Sequence, residues 1–168
     1  MHEHALKKLP AGELDPAIAK AILYRELNQP EEAESICRDV LAVDARHQSA
    51  LRVLGLALTD RFEEVTVGLF EDAMATFAKL EGEYDRVYHE GVAWERLGKA
   101  HLKRSEGHGA LGALEHALEH FERAEKIAPP GNPDSILRYN RCVRLLQSQR
   151  LLQDAFDAPH SRVPHLGD

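Results

Sequence analysis

Two histidines in the second half of the chain, His116 and His120, have the spacing of a metal-ligand pair, and Glu119 lies between them. Side chains four residues apart share one face of a helix. A metal site needs a third and usually a fourth ligand, and no second H-x-x-x-H, C-x-x-C or E-x-x-H run supplies them. The missing ligands would have to come from distant histidines: His89, His101 or His108. We therefore expect solvated or edge histidines without a metal, and a histidine-based metal protein is the remote alternative.

A glycine-rich run from Gly107 to Gly112 matches the pattern G-x-G-x-x-G and precedes a helical pattern. In dinucleotide-binding folds this pattern follows directly on a buried strand. The residues before the run are instead the polar end of a helix. The sequence therefore predicts a flexible loop between two helices, containing Ser105, Gly107, Gly109 and Gly112, and no cofactor site.

Nucleophiles and paired carboxylates form no catalytic pattern either. The serines are scattered, and none lies in a G-x-S-x-G elbow. Three acidic pairs fall at predicted helix starts, where the helix dipole stabilises negative charge: Glu31 with Glu32, Glu63 with Glu64, and Glu71 with Asp72. We expect no catalytic residues and no enzymatic activity.

The composition is typical of a helix-rich globular protein, with 43% hydrophobic residues and 29% charged residues. A net charge of −7 disfavours nucleic-acid binding, because that affinity depends largely on Lys and Arg. No apolar run approaches the length of a membrane span, and the N-terminus does not resemble a signal peptide. Cys37 and Cys142 lie far apart within helical runs, which predicts buried thiols. We expect a cytoplasmic protein that binds neither nucleic acid nor membrane.

Prolines and polar turns divide the chain into segments whose apolar residues recur at helical spacing. Asp15 followed by Pro16 predicts the first helix start, and Pro30 followed by two acids predicts the second. The short links between successive segments predict antiparallel hairpins. The expected organisation is all-α: a flexible arm over residues 1–14, about seven helices over residues 15–155, and a disordered tail over residues 156–168.

The third predicted hairpin reads AWERLGKAH and then, after a loop, HALEHFERAEKIAPP. This pattern of small and large residues resembles the tetratricopeptide repeat family. The matching residues are Trp94, Leu97 and Gly98 in the first helix, and Ala117, Phe121, Ala124 and Pro129 in the second. The first hairpin matches at Ala21, Tyr24 and Ala33, and the second at Gly55, Ala73 and Phe77 when a longer link is allowed. The resemblance covers three irregular repeats and a capping helix.

This resemblance implies a right-handed superhelical stack of hairpins, in which the first helices line a concave groove that holds a partner peptide. The aligned groove positions are Ile18, Ile22, Arg52, Leu56, Glu95, Arg96, Lys99 and Lys103. Family members that bind chaperone tails clamp a carboxylate with two Lys, two Asn and one Arg. The equivalent positions are Ile18, Ile22, Val53, Val92 and Arg96. Only the arginine is retained, which disfavours chaperone-tail recognition.

The last predicted helix carries Arg138, Arg141 and Arg144 at three-residue steps, which forms one basic stripe. With Arg96, Lys99 and Lys103 this stripe predicts a positive wall for an acidic segment; the alternative is an ordinary solvated face of a capping helix. The expected function is a scaffold or adaptor that binds another protein through an acidic or mixed apolar and acidic segment. The alternative is a homo-oligomer formed through the unpartnered last helix, with Val143, Leu146 and Leu152 in the contact.

Overall fold

The structure is a computed structural model that describes residues 4–64 and 67–157, with side chains described up to residue 150. In this part of the chain there are seven α-helices and no strands, which confirms the all-α prediction. The helices are α1 (Leu14–Glu26), α2 (Pro30–Val43), α3 (Gln48–Asp60), α4 (Leu69–Phe77), α5 (Glu83–Lys103), α6 (Gly107–Ile127) and α7 (Asp134–Asp157). A short 3-10 turn, Ala11–Glu13, precedes α1.

The starts of the first two helices follow from local sequence, with one correction. Pro30 occupies the first turn of α2, and two acids follow it at the positive end of the helix dipole. Asp15, however, is not the N-cap of α1, because the helix already begins at Leu14. The Asp15 carboxylate is exposed and lies 3.5 Å from His47 Nε2 at the start of α3. The acid therefore connects two helices and does not cap one.

The helices pack in chain order and also in a second, alternating row. Each helix contacts the next one along the chain, so that α1 with α2, α3 with α4, and α5 with α6 form hairpins. In addition, α1 contacts α3, α3 contacts α5, and α5 contacts α7. The odd-numbered helices therefore lie side by side and form one continuous layer, which we call the odd row.

The core combines leucine, isoleucine and valine side chains with small and aromatic residues at the positions where helices approach closely. Most of the residues that match the tetratricopeptide pattern are buried: Ala21, Ala33, Gly55, Ala73, Phe77, Leu97, Gly98, Ala117, Phe121 and Ala124. Tyr24 and Trp94 are half-buried and pack against this core. Pro129 is exposed and follows the end of α6. The expected packing role therefore applies to the residues within the helices.

Two glycines allow the closest helix contacts. A Cβ atom at Gly55 would lie 2.2 Å from Phe77 Cε1 of α4, and one at Gly98 would lie 2.8 Å from Leu114 Cγ of α6. Both distances are far below van der Waals contact. The hairpins α3–α4 and α5–α6 therefore require glycine in their first helix.

The glycine-rich loop predicted after α5 is wrong, because α6 begins at Gly107 and includes Gly109 and Gly112. The helix buries a stripe of small residues against α5, and this burial outweighs the low helix propensity of glycine. Ala110, Ala113 and Ala117 form the buried side of this stripe. Gly109 also allows close packing, since a Cβ there would lie 3.1 Å from His101 Nδ1.

Among the α-helices that the structure describes, α4 is the shortest. This helix has nine residues and ends at Phe77, while Leu80 remains buried in the turn that follows. In the predicted N-terminal arm, Leu9 packs against the core. The predicted C-terminal tail begins at residue 156, and residues 158–168 lie outside the described residues. The Leu152 side chain is outside them as well.

Replacing Gly55 by Ala should destabilise the protein by about 1–3 kcal/mol, because Phe77 would have to move out of a packed core. The matched control is Gly112→Ala, where nothing lies within 4 Å of the added Cβ. That change should stabilise the helix by about 0.5–1 kcal/mol. Urea unfolding of both variants measures the difference, and equal effects would contradict the packing role of Gly55.

Candidate functional site

The carboxylate of Asp60 at the end of α3 is shared by two arginines of the odd row. Arg25 of α1 donates from Nε to Oδ2 at 2.7 Å, and Arg96 of α5 pairs with Oδ1. Arg96 also donates to Thr59 Oγ1 at 2.7 Å and to the Leu56 carbonyl at 3.2 Å. One acid therefore connects three odd-numbered helices.

The carboxylate of Glu95 in α5 is shared in the same way, but at a fully buried position. Lys99, one turn later in α5, pairs with one oxygen, and Arg138 of α7 donates to the other at 2.8 Å. Arg138 Nε also lies 3.3 Å from the Tyr88 hydroxyl oxygen, to which it donates. The buried acid thus fixes α7 against α5 through charge-assisted hydrogen bonds.

The pKa values of Arg96 and Arg138 shift in opposite directions. Burial lowers the pKa of Arg96, and the neighbouring Asp60 does not fully offset this effect. Burial also opposes the charge of Arg138, but the Glu95 carboxylate outweighs it and raises the pKa of that group. Arg138 is close enough to Arg96 to contribute to the lowering. The two shared carboxylates therefore belong to one electrostatic surface along the odd row.

This surface carries more positive than negative charge. Each of the two acids neutralises only one of its two cationic partners, which leaves one excess positive charge beside Asp60 and another beside Glu95. Arg52 of α3 and Arg141 of α7 form no ion pair with any described residue. Arg52 lies near enough to His89 to affect its pKa. We call this set the basic row; its cations are Arg25, Arg52, Arg96, Lys99, Arg138 and Arg141.

An open depression of about 240 Å³ lies where α5 meets α7. Its lining includes the buried Glu95 pair, Arg141 and the side chain of Leu137, which is 60% exposed. The depression therefore combines an apolar wall with cationic groups that are already held in place. Such a combination favours an acidic group next to an apolar side chain.

The predicted groove residues separate into three groups. Arg96, Lys99, Lys103 and Arg138 are held in ion pairs within the protein. Ile22, Arg52, Leu56, Arg141 and Arg144 are exposed or half-exposed. Ile18 is part of the core and presents little surface.

Sequence reasoning placed Glu95 along the groove but missed its two ion pairs, and it missed Asp60 altogether. Glu95 and Lys99 are four residues apart in α5, so their pairing was readable from helical spacing. Asp60 pairs with Arg25 and Arg96, which are distant in sequence. Leu137 gave no signal beyond its place in an amphipathic helix. Only the tertiary packing brings these groups together.

The histidines mainly connect α5 and α6. His120 of α6 lies 3.5 Å from the Glu90 carboxylate, and this hydrogen bond raises the pKa of His120 despite partial burial. The His116 ring packs on Trp94 with centroids 4.5 Å apart. Within residues 4–64 and 67–150, no group of three or more His, Cys, Asp or Glu side chains could hold a metal ion.

The thiols of the two cysteines are unreactive in their buried environment. Cys37 and Cys142 are fully buried and unpaired as disulfides. Burial raises the pKa of each thiol to about 12, so both remain protonated at neutral pH. These side chains therefore act as small apolar groups in the core.

No helix in the part of the chain that the structure describes has both the length and the apolar composition needed to cross a bilayer. Neither a scan against protein-family models nor a search of curated proteins found a match to this chain.

Replacing Arg138 by Leu should destabilise the protein by about 1–3 kcal/mol, because the buried Glu95 carboxylate would keep only one cationic partner. Arg141→Leu is the matched control on the same helix, since Arg141 is exposed, and it should change stability by at most about 0.5 kcal/mol. Chemical unfolding of the two variants provides the comparison. Similar losses for both would show that the Glu95 pairing is not what holds α7.

Two histidines should give opposite pH dependences. The raised pKa of His120 means that its stabilising contribution is present below the unfolded value of 6.5 and is lost as the pH rises through the folded value. Burial lowers the pKa of His89, whose stabilising contribution is present above 6.5 and declines as the pH falls. His120→Gln should therefore cost more stability at about pH 5.5 than at about pH 8, and His89→Gln should show the reverse. Urea unfolding of both variants at the two pH values measures these trends. A shared trend would contradict the assignments.

Proposed function

We propose that the chain is a tetratricopeptide-like solenoid, a right-handed superhelical stack of three irregular hairpins closed by α7. Two packing features support this proposal. The odd-numbered helices contact one another in sequence along one layer, as the first helices of stacked hairpins do. Small residues also lie where the two helices of a hairpin meet, at Ala21, Gly55 and Gly98.

The function proposed for this stack is that of a scaffold or adaptor that binds a segment of another protein along the odd row. The observation that carries the proposal is the pair of shared carboxylates, Asp60 and Glu95. Each acid holds two cations in fixed positions and neutralises only one of them. A ligand carboxylate can therefore meet cationic groups that have already lost side-chain freedom, which lowers the entropic cost of binding.

The proposed ligand is an extended or helical segment with acidic residues toward α5 and α7 and apolar residues toward α1. Ile22 is 42% exposed at the α1 end of the row, and Leu56 is half-exposed in α3. At the other end, Arg141 and Leu137 border the depression between α5 and α7. This gradient from apolar to cationic surface determines the orientation of the segment.

Binding without catalysis fits the chemistry of the described side chains. The only two thiols are buried and protonated, and the buried carboxylate is fully engaged with its cationic partners. The buried free cysteines also support a reducing compartment, and we place the protein in the cytoplasm on that ground.

The test is selection of short random peptides by the full chain, followed by affinity measurement for the selected peptides at several salt concentrations. Acidic peptides with an adjacent apolar residue should be enriched, and their affinity should fall as salt rises. Arg141→Glu should weaken binding at least about tenfold, because it reverses a charge at the depression. Arg123→Glu is the matched control: it makes the same charge change at an exposed position of α6.

Selected peptides without acidic residues, or equal losses for the two variants, would reject the basic row as the binding surface.

A further inference from the structure

The outer face of α1 is apolar although no helix in the described part of the chain covers it. Leu23 is 50% exposed and Leu27 is 58% exposed. The position of Leu23, two residues after the close-contact residue Ala21, corresponds to Ala57 in α3 and Ala100 in α5. Both of these alanines are fully buried within the stack. The first helix therefore presents, at an open end, a surface that is covered in the other hairpins.

The opposite end of the stack is also partly apolar. Ile136 at the start of α7 is 43% exposed, and Leu137 beside it is 60% exposed. Among the residues that the structure describes, no helix follows α7 to cover this face. Terminal helices of repeat arrays normally have a polar outer side, because that side faces water. Both ends of this stack depart from that rule.

The charges around the two apolar surfaces have opposite signs. The exposed charges of α1 are Asp15, Lys20 and Glu26, which sum to −1, whereas those among the described side chains of α7 are Asp134, Arg141, Arg144 and Arg150, which sum to +2. Pairing two α7 faces would bring arginines against arginines, and pairing two α1 faces would bring acids against acids. Contact between α1 of one copy and α7 of another instead matches apolar surface with apolar surface and acids with arginines.

We infer that copies of this chain associate end to end, with α1 of one copy against α7 of the next. Because the two surfaces differ, the contact is heterologous, and each added copy leaves one α1 end and one α7 end unoccupied. Association should then produce a continuing series of oligomers whose size depends on concentration. The few exposed apolar residues at each end indicate a small, weak interface.

This inference does not rest on the proposed function. Leu23 and Leu27 are not among the residues of the basic row. The apolar surface of α7 adjoins the depression through Leu137 and Arg141, and the variants below leave both of these residues unchanged. Loss of peptide binding and loss of self-association can therefore be observed separately, each with its own set of variants.

The experiment uses two full-length variants that each block one end. Leu23→Lys with Leu27→Lys removes the apolar surface of α1, and Ile136→Glu with Arg144→Glu alters α7. Sedimentation velocity is recorded from about 10 µM to about 1 mM for the native chain, each variant, and their equimolar mixture. Circular dichroism and urea unfolding verify that the variants are folded.

The native chain should show an average mass that rises steadily with concentration, and each variant alone should remain monomeric. The mixture should form a dimer with one copy of each variant, because each variant keeps the end that the other lacks. A misfolded variant could not restore this dimer.

A native chain that stays monomeric throughout the concentration range would overturn the inference. So would self-association of either variant alone, which would show that like ends pair with each other. A mixture that remains monomeric, when the native chain associates and both variants are folded, would equally reject the contact between α1 and α7.

Discussion

A carboxylate without access to water must be held by cations, and the buried Glu95 imposes this requirement on the C-terminal half of the protein. Lys99 satisfies it from within α5, and Arg138 satisfies it from α7, so that the acid ties α7 to α5 in addition to the apolar packing of α7 on α6. Asp60 repeats the arrangement between α1, α3 and α5 with weaker burial. These two acids hold the odd row together, but each neutralises only one of its two cationic partners. The basic row therefore keeps an excess of positive charge in a chain whose overall charge is −7. Helix packing and surface electrostatics thus have a common origin.

The sequence predicted best what depends on neighbours in the chain. Helix periodicity, the proline at the start of α2 and the small residues at Gly55 and Gly98 are local signals, and the structure agrees with each. The glycine run after α5 led to a wrong loop prediction, because helix propensity depends only on local sequence. The burial of Ala110 and its neighbours against α5 stabilises α6 and depends on tertiary packing. Helical spacing and the repeat alignment singled out all cations of the basic row except Arg25. The pairing of Arg25 and Arg96 with Asp60 depends on packing between distant segments and could not be predicted from the sequence.

The two proposals place different demands on the ends and on the length of the stack. Peptide binding uses the row of odd-numbered helices, where cations are fixed by shared acids. End-to-end association uses the terminal faces, where Leu23 and Ile136 are exposed in the part of the chain that the structure describes. If both occur, joining copies would extend the odd row beyond a single chain, and a long or repeated acidic segment could contact several copies at once. Affinity would then increase through multivalency without any new kind of contact.

The unequal lengths of the helices have a consequence for internal motion. In the third hairpin, α5 and α6 have 21 residues each, whereas α4 in the second hairpin has only nine. A stack in which each hairpin contacts only its neighbours does not open everywhere at once; it opens where local contacts are fewest. The backbone amides of α5 and α6 should exchange with solvent deuterium most slowly, and those of α4 should exchange early. The protein therefore contains a long, rigid hairpin beside a short helix that can open locally, while the pair of Asp60 with Arg96 keeps α3 and α5 together.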